Sequence, residues 1–145
     1  MNRAWPLVAV IAVTLAAAGR SATSFAPAEP PKKPSLALTA SPTIAFTPAK
    51  VSFLGELKGG SDDYEDLYCP TVEWDWGDDT SSESTVQCEP YQSGTSRIQR
   101  RFSTQHEFKI PGAYRIQLKL KKKNKVIVSA PVQLQVNQGM RERSD

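Results

Sequence analysis

VEWDWGDDTS, at positions 72–81, carries the clearest structural signal in this chain. The apolar side chains of Val72, Trp74 and Trp76 alternate with acidic ones. An alternation of period two predicts a β-strand that buries one face and exposes the other. The turn-forming residues GDD at 77–79 come next, so the stretch predicts a strand and the tight turn that ends it.

The same alternation recurs in three other stretches, and turn signals at 59–61, 111–112 and 123–125 separate them. Antiparallel sheets with one buried face show this pattern. About seven short strands in roughly 100 residues predict an all-β sandwich of two sheets. The apolar residues predicted to face the core are Val51, Phe53, Leu57, Tyr114, Ile116, Leu118, Leu120, Val132, Leu134 and Val136.

Composition excludes several classes of protein. The chain has 145 residues, of which 39% are hydrophobic, enough for one domain. Its 18 basic and 15 acidic residues give a net charge of +3, too mild to predict nucleic-acid binding. Two cysteines and one histidine leave little for a metal cage or a Cys/His nucleophile pair. No enzyme activity and no cofactor are expected, because nothing marks a nucleophile to partner His106.

The N-terminal segment predicts export. Arg3 precedes LVAVIAVTLAAA at 7–18, a charge-free run shorter than the roughly 20 residues of a membrane-spanning helix. A positive start, a short apolar run and small residues after it are typical of a secretory signal peptide, assigned here to 1–26. An uncleaved membrane anchor is the alternative. We expect a periplasmic, cell-surface or secreted protein with no stable membrane span after cleavage.

Two further segments flank the predicted domain at 35–137. PAEPPKKP at 27–34 has four prolines in eight positions, which favour an extended backbone. This segment is either a linker or a disordered mature N-terminus. Positions 138–145 form a polar tail.

The two cysteines can be placed by assuming a hairpin. If 77–80 form a four-residue loop, Trp76 lies opposite Ser81, and Cys69 then faces Cys88 across the same ladder. Directly opposed Cβ atoms lie about 4.5–5.5 Å apart, close to disulfide geometry. The pattern predicts a disulfide in an exported chain. Two free thiols or a redox pair are the alternatives, although the spacing is unlike Cys-x-x-Cys.

The chain resembles the PKD (polycystic kidney disease) domain family. VEWDWGDDTS resembles its W-D-F-G-D-G-x-S signature, and HEFKIPGAYRIQL at 106–118 resembles its H-x-Y-x-x-x-G-x-Y-x-V-x-L signature. Both occur in the family's order, and the resemblance spans roughly 35–137. Asp79 stands where the family usually has a glycine. The matching residues are Trp74, Asp75, Trp76, Gly77, Asp78, His106, Phe108, Gly112 and Tyr114.

The resemblance implies an immunoglobulin-like β-sandwich outside the cytoplasm. Such domains are usually non-catalytic and act as spacers or contact proteins or polysaccharides. We interpret the motif residues as structural, with Trp74 in the core and Asp75 and Asp78 accepting backbone N–H groups of the turn. His106 is expected to brace the corner before the 111–112 turn, and Tyr114 to hydrogen-bond across that corner.

The segment SDDYEDLY at 61–68 offers two candidate sites. Four clustered carboxylates are weak candidates for a calcium site, although a solvated acidic loop is the favoured interpretation. They are Asp62, Asp63, Glu65 and Asp66. Tyr64 and Tyr68 are predicted either to stack on a sugar or form a protein contact, or to cover the end of the sandwich.

Charge is unevenly distributed along the chain. Positions 29–91 hold twelve acidic and four basic residues, whereas 97–125 hold ten basic and one acidic residue. A basic patch is predicted at Lys119, Lys121, Lys122, Lys123 and Lys125. It would either attract an anionic polymer, an acidic protein or lipid headgroups, or shield a sheet edge. The expected partner is an envelope or extracellular protein or polysaccharide, with no nucleic acid; a passive spacer is the alternative function.

Overall fold

A computed structural model describes residues 26–27 and 29–140. They form eight strands, where about seven were predicted, and one turn of 3-10 helix at Glu65–Leu67. Except for Ala26, the predicted signal peptide lies outside the described residues, as do positions 141–145 of the predicted tail. The strands are β1 (Ser35–Ser41), β2 (Ile44–Phe46), β3 (Ala49–Lys58), β4 (Thr71–Asp75), β5 (Ser81–Ser84), β6 (Arg101–Phe108), β7 (Gly112–Lys122) and β8 (Lys125–Asn137).

The strands form two sheets. One has the order β1-β3-β6, and the other has the order β2-β8-β7-β4-β5. All pairs are antiparallel except β2 with β8, which is parallel. The first strand is thus split: β1 pairs with β3, and β2 crosses to the other sheet. This is an immunoglobulin-like sandwich, and the predicted fold class is confirmed.

The core lies between the sheets, where the alternating apolar side chains meet. Val51, Ile116, Leu118, Leu120 and Val136 are fully buried. The alternation predicted for β3, β4, β7 and β8 therefore holds, because each of these strands turns one face to the other sheet.

The aromatic centre of the core is Phe53 on β3. Its ring centroid lies 6.3 Å from that of Trp74, 5.4 Å from that of Trp76 and 6.4 Å from that of Phe108. Such separations are those of favourable aromatic pairs. The PKD-like motif residues Trp74, Trp76 and Phe108 are accordingly buried.

The hairpin between β4 and β5 has a different register from the predicted one. Asp75 pairs with Ser81, so the predicted pairing of Trp76 with Ser81 is wrong by one residue. The Trp76 N–H donates to Thr80 O at 3.1 Å, which leaves a three-residue loop at 77–79. Asp79 adopts a left-handed φ of 64°, as three-residue hairpin loops require at one position. A loop one residue shorter than assumed shifts every pair by one.

The chain enters and leaves the sandwich at opposite ends. Ser35 at the start of β1 pairs with Lys58, whereas Asn137 at the end of β8 pairs with Phe46. We call the end that carries 59–70, 85–100 and the hairpin tip at 123–124 the loop end. No helix in the described part of the chain is long and apolar enough to cross a membrane.

The proline-rich segment contacts the loop end. The Lys32 N–H donates to Ser61 Oγ at 3.0 Å, and the Ser61 N–H donates to Lys32 O at 2.8 Å. Pro34 is fully buried. The last residues before β1 are therefore held against the domain.

Candidate functional site

The Cys69–Cys88 disulfide is present, as predicted, with a Cα–Cα distance of 6.2 Å. It does not join opposed strand positions, because β4 begins after Cys69 and β5 ends at Ser84. Cys69 instead has a left-handed φ of 50°. The bridge therefore connects two loops, 61–70 and 85–100, which we call the paired loops.

Tyrosine side chains tie the paired loops together. The Tyr68 hydroxyl donates to Glu89 O at 3.0 Å, and the Tyr91 hydroxyl donates to Asp63 O at 2.7 Å. The Tyr68 and Tyr91 rings meet edge to face, with centroids 5.5 Å apart. The two hydrogen bonds run in opposite directions between the loops, so the loops form one surface.

Tyr64 and Tyr68 do not stand free in solvent. Both are half-buried against the core, around the fully buried Leu67. The Lys122 ammonium donates to Tyr68 O at 2.8 Å and lies 5.9 Å from the centroid of its ring. Of the two interpretations offered by the sequence, the structure places these tyrosines as a cover over the sandwich end.

The acidic segment contains one firm ion pair. Arg100 Nη2 lies 2.5 Å from Asp62 Oδ1. The Arg100 guanidinium also donates to the backbone carbonyls of Leu57 at the end of β3 and of Gly59 and Gly60 in the loop that follows. Asp63, Glu65 and Asp66 lie in the same loop as Asp62, at 61–70. Over residues 26–27 and 29–140, no group of three or more His, Cys, Asp or Glu side chains is arranged to hold a metal ion.

Lys119 and Lys121 belong to a network of ion pairs on the outer face of the larger sheet. Lys119 Nζ lies 3.0 Å from Glu73 and 3.4 Å from Asp75, and Lys121 Nζ lies 2.7 Å from Glu73 and 2.8 Å from Glu83. Hydrogen bonds from Lys121 and Lys119 lower the pKa of Glu73. The bonds to Glu73 in turn raise the pKa of both lysines.

This network corrects the predicted basic patch. The register between β4 and β7 places Glu73 opposite Lys119, so Lys119 and Lys121 are paired with acidic side chains from the other part of the sequence. Edge shielding by Lys119 and Lys121 is also wrong, because β7 lies between β8 and β4. Lys123 and Lys125 are exposed at the hairpin tip, where Lys123 and Asn124 adopt the positive φ angles of a two-residue turn.

A second cluster surrounds the turn of the first motif. Asp78 Oδ1 accepts the Thr80 N–H at 3.0 Å and also binds the Thr80 hydroxyl, and Asp75 Oδ1 accepts the Gly77 N–H at 3.2 Å. Asp78 Oδ2 lies 3.0 Å from His106 Nε2. The two carboxylates therefore hold the backbone of the turn.

His106 braces a different corner from the predicted one. Its position on β6 turns its ring toward the other sheet, where it stacks on Trp76 with centroids 4.2 Å apart and planes 4° apart. The corner at 111–112 is held instead by Tyr114, whose hydroxyl donates to Ile110 O at 2.6 Å. A tyrosine bonded to the backbone a few residues upstream, at the start of this strand, is a feature of immunoglobulin-like domains.

The Thr80, Asp78 and His106 side chains do not form a nucleophile-activating triad. The carboxylate lies in the middle and contacts both the hydroxyl and the imidazole. Activation of a hydroxyl nucleophile requires the imidazole beside the hydroxyl and the carboxylate behind the imidazole. The order found here suits a structural brace.

Asp78→Asn is expected to lower the free energy of unfolding by about 1 kcal/mol at neutral pH. Partial burial opposes ionisation of Asp78, but hydrogen bonds from Thr80 and His106 outweigh it and lower its pKa below 3.8. A carboxyl with a depressed pKa stabilises the fold above 3.8, and its contribution is lost as the pH falls through the folded-state pKa. Denaturant unfolding of the wild type and of Asp78→Asn, from neutral pH to below pH 3.8, should show a difference in unfolding free energy that becomes smaller in acid. A gap that is constant with pH would contradict a role for the Asp78 charge.

Comparisons with known proteins found similarity to solved structures alone. No protein-family model matches the sequence, and a search of curated proteins found no match. The chain is similar in structure to the PKD domain of a peptidase from a Thermoplasmatales archaeon, with 14% identity, coverage of 73% of this chain and 98% of that chain, and a TM-score of 0.49. It is also similar to the CARDB domain of a Pyrococcus furiosus protein crystallised in complex with di-metal ions, with 11% identity, 74% and 97% coverage, and a TM-score of 0.47.

Proposed function

We propose that this chain is a non-enzymatic, exported domain that contacts a protein or polysaccharide of the cell envelope or extracellular space through its loop end. The joining of 61–70 and 85–100 into one surface carries this proposal. Binding residues concentrate on loops that a rigid scaffold positions. Loops that are already ordered also lose less conformational freedom when a partner binds.

Export is supported by two independent features. The disulfide between Cys69 and Cys88 is of the kind that persists in oxidising compartments. The sequence at 1–26 has the pattern of a secretory signal. Recovery of the protein from the cytoplasm with both cysteines reduced would contradict this part of the proposal.

The charges at the loop end disfavour a uniformly anionic partner. Glu65 and Asp66 are exposed on one of the paired loops, and Lys123 and Lys125 are exposed at the neighbouring hairpin tip. A surface of mixed sign suits a protein or an uncharged polysaccharide better than a uniformly anionic polymer.

A passive spacer is the second candidate function. The chain enters at the loop end and leaves at the opposite end, so the domain holds the segments on its two sides apart. This geometry supports a spacer whether or not the loop end binds a partner.

Lys123→Glu combined with Lys125→Glu is expected to abolish capture of the partner, because it reverses the charge of the hairpin tip. The measurement is cross-linking in the native host, affinity purification and mass spectrometry. Lys109→Glu combined with Arg115→Glu is the matched control, since both of its residues are exposed away from the loop end. A partner lost only with the control variant would contradict binding at the loop end. No partner above background, with the protein folded and exported, would favour the spacer.

A further inference from the structure

The edge of the smaller sheet at β6 is long and unprotected. β6 has eight residues, Arg101–Phe108, with no proline and no lysine, and its pairing with β3 has no bulge. Both edges of the larger sheet are shorter, because β2 has three residues between Pro42 and Pro48, and β5 has four. The other edge of the smaller sheet, β1, has seven residues and lies between Pro34 and Pro42. Proteins generally blunt an edge strand of this length unless something pairs with it.

The backbone N–H and C=O groups of successive β6 residues point alternately toward β3 and away from it. The Leu57 N–H donates to Arg100 O at 2.8 Å, which sets the alternation of the antiparallel ladder. Even-numbered residues from Phe102 onward therefore bond to β3, and odd-numbered residues point their N–H and C=O groups away from it. In the described chain, Arg101 O accepts the Gln99 side chain, and no other partner reaches these outward groups.

The outward residues are complementary to a second copy of themselves. An antiparallel copy related by a two-fold axis at Thr104 places Arg101 opposite Glu107 of the second copy, and Ser103 opposite Gln105 of the second copy. Side chains at these odd-numbered positions all lie exposed on the outer face, so each pair shares one face. The symmetry repeats the Arg–Glu pair at both ends of the ladder.

Both charged side chains of the proposed pairs are exposed to solvent. The Arg101 side chain is 77% exposed and has a single ion pair, to Glu56 at 3.2 Å. Glu107 is exposed and has no ion pair with any other described residue. An exposed arginine at one end of the edge and an unpaired glutamate at the other favour a second copy of the chain over an unrelated extended segment.

We propose that two copies of this domain associate through β6, antiparallel and with two-fold symmetry, to form a continuous six-stranded sheet. The association uses the folded domain alone. It therefore holds whether or not the loop end binds an envelope component, and its failure would leave that function untouched.

Ser103→Pro is expected to convert a concentration-dependent dimer of the full chain into a monomer, measured by sedimentation equilibrium. Proline removes an N–H that points away from β3, so the ladder between β3 and β6 keeps its bonds. Ser103→Ala retains the N–H and is expected to remain dimeric. Thermal unfolding of both variants checks that the fold is intact.

Charge reversal tests the register and the identity of the partner. Arg101→Glu and Glu107→Arg should each weaken dimerisation about tenfold or more, because like charges then face each other at both ends. An equal mixture should dimerise again, since one chain presents only acids and the other only bases at the pairing positions. A wild-type chain that is monomeric at about 1 mM overturns the proposal, even if β6 binds another protein. A folded Ser103→Pro variant that still dimerises, or a mixture that stays monomeric, also overturns it.

Discussion

Phe53→Ala is expected to lower the free energy of unfolding by about 3–5 kcal/mol. The Phe53 side chain is 1% exposed and lies at the centre of the aromatic core. Its removal takes away contacts with Trp74, Trp76 and Phe108 at once. The backbone ladders fix the position of the strands within each sheet, so the strands cannot move in to close the cavity. Denaturant unfolding of purified protein measures the loss.

Phe46→Ala is the matched control for this prediction. Phe46 is a phenylalanine on a strand of the same domain, but it is 63% exposed. Its removal is expected to change stability by no more than about 0.5 kcal/mol. Equal losses at the two positions would contradict the placement of Phe53 at the centre of the core.

Removal of the disulfide by Cys69→Ser with Cys88→Ser is expected to cost about 3 kcal/mol of stability. The bridge closes a loop between residues 19 apart in sequence, which restricts the unfolded chain. It also holds two loops that contain little regular structure. Denaturant unfolding with and without reductant should bring the wild type down to the level of the variant.

The paired loops should respond more than the sheets. In the variant, hydrogen exchange is expected to accelerate at 61–70 and 85–100 while β3, β7 and β8 remain protected. Reductant should leave the variant unchanged, which controls for effects unrelated to the bridge. Two reactive thiols in unfolded, non-reduced wild type would contradict the disulfide itself.

The sheets and core could be predicted because alternation along a strand is a local property. Leu118 and Leu120 are buried for the same reason that Lys119 between them faces outward. The PKD motif that the sequence resembles usually has a glycine at the position of Asp79, and the structure gives Asp79 a positive φ, which glycine adopts readily. A pattern of period two, however, does not say which strands become neighbours.

The register of the β4–β5 hairpin and the geometry of the disulfide could not be predicted from the local sequence pattern. Hairpin loops of three and of four residues both occur in proteins, and a difference of one residue at 77–80 shifts every later pair in the hairpin. The predicted bridge between Cys69 and Cys88 formed, but through loops that lie beyond the ladder. The predicted disulfide is present, but the two cysteines are not opposed strand positions as the prediction assumed.

The ion pairs of Lys119 and Lys121 could not be predicted without the order of the strands in the sheet. Glu73 and Lys119 are 46 residues apart, and only the pairing of β4 with β7 brings them to 3.0 Å. The basic region of the sequence predicted a basic patch that includes Lys119 and Lys121. In the fold, the acidic strand β4 lies beside the basic strand β7, so Lys119 and Lys121 are held in ion pairs with acidic side chains.

The split first strand has a mechanical consequence. β2 and β8 run parallel, joined by bonds from Gln135 N–H to Thr43 O and from Thr47 N–H to Asn137 O, both 2.9 Å long. A pull that separates the two ends of the domain draws these strands past each other along their length. Tension would then strain the bonds together in shear, rather than opening them one at a time as in peeling, so the domain should resist stretching most strongly at this junction.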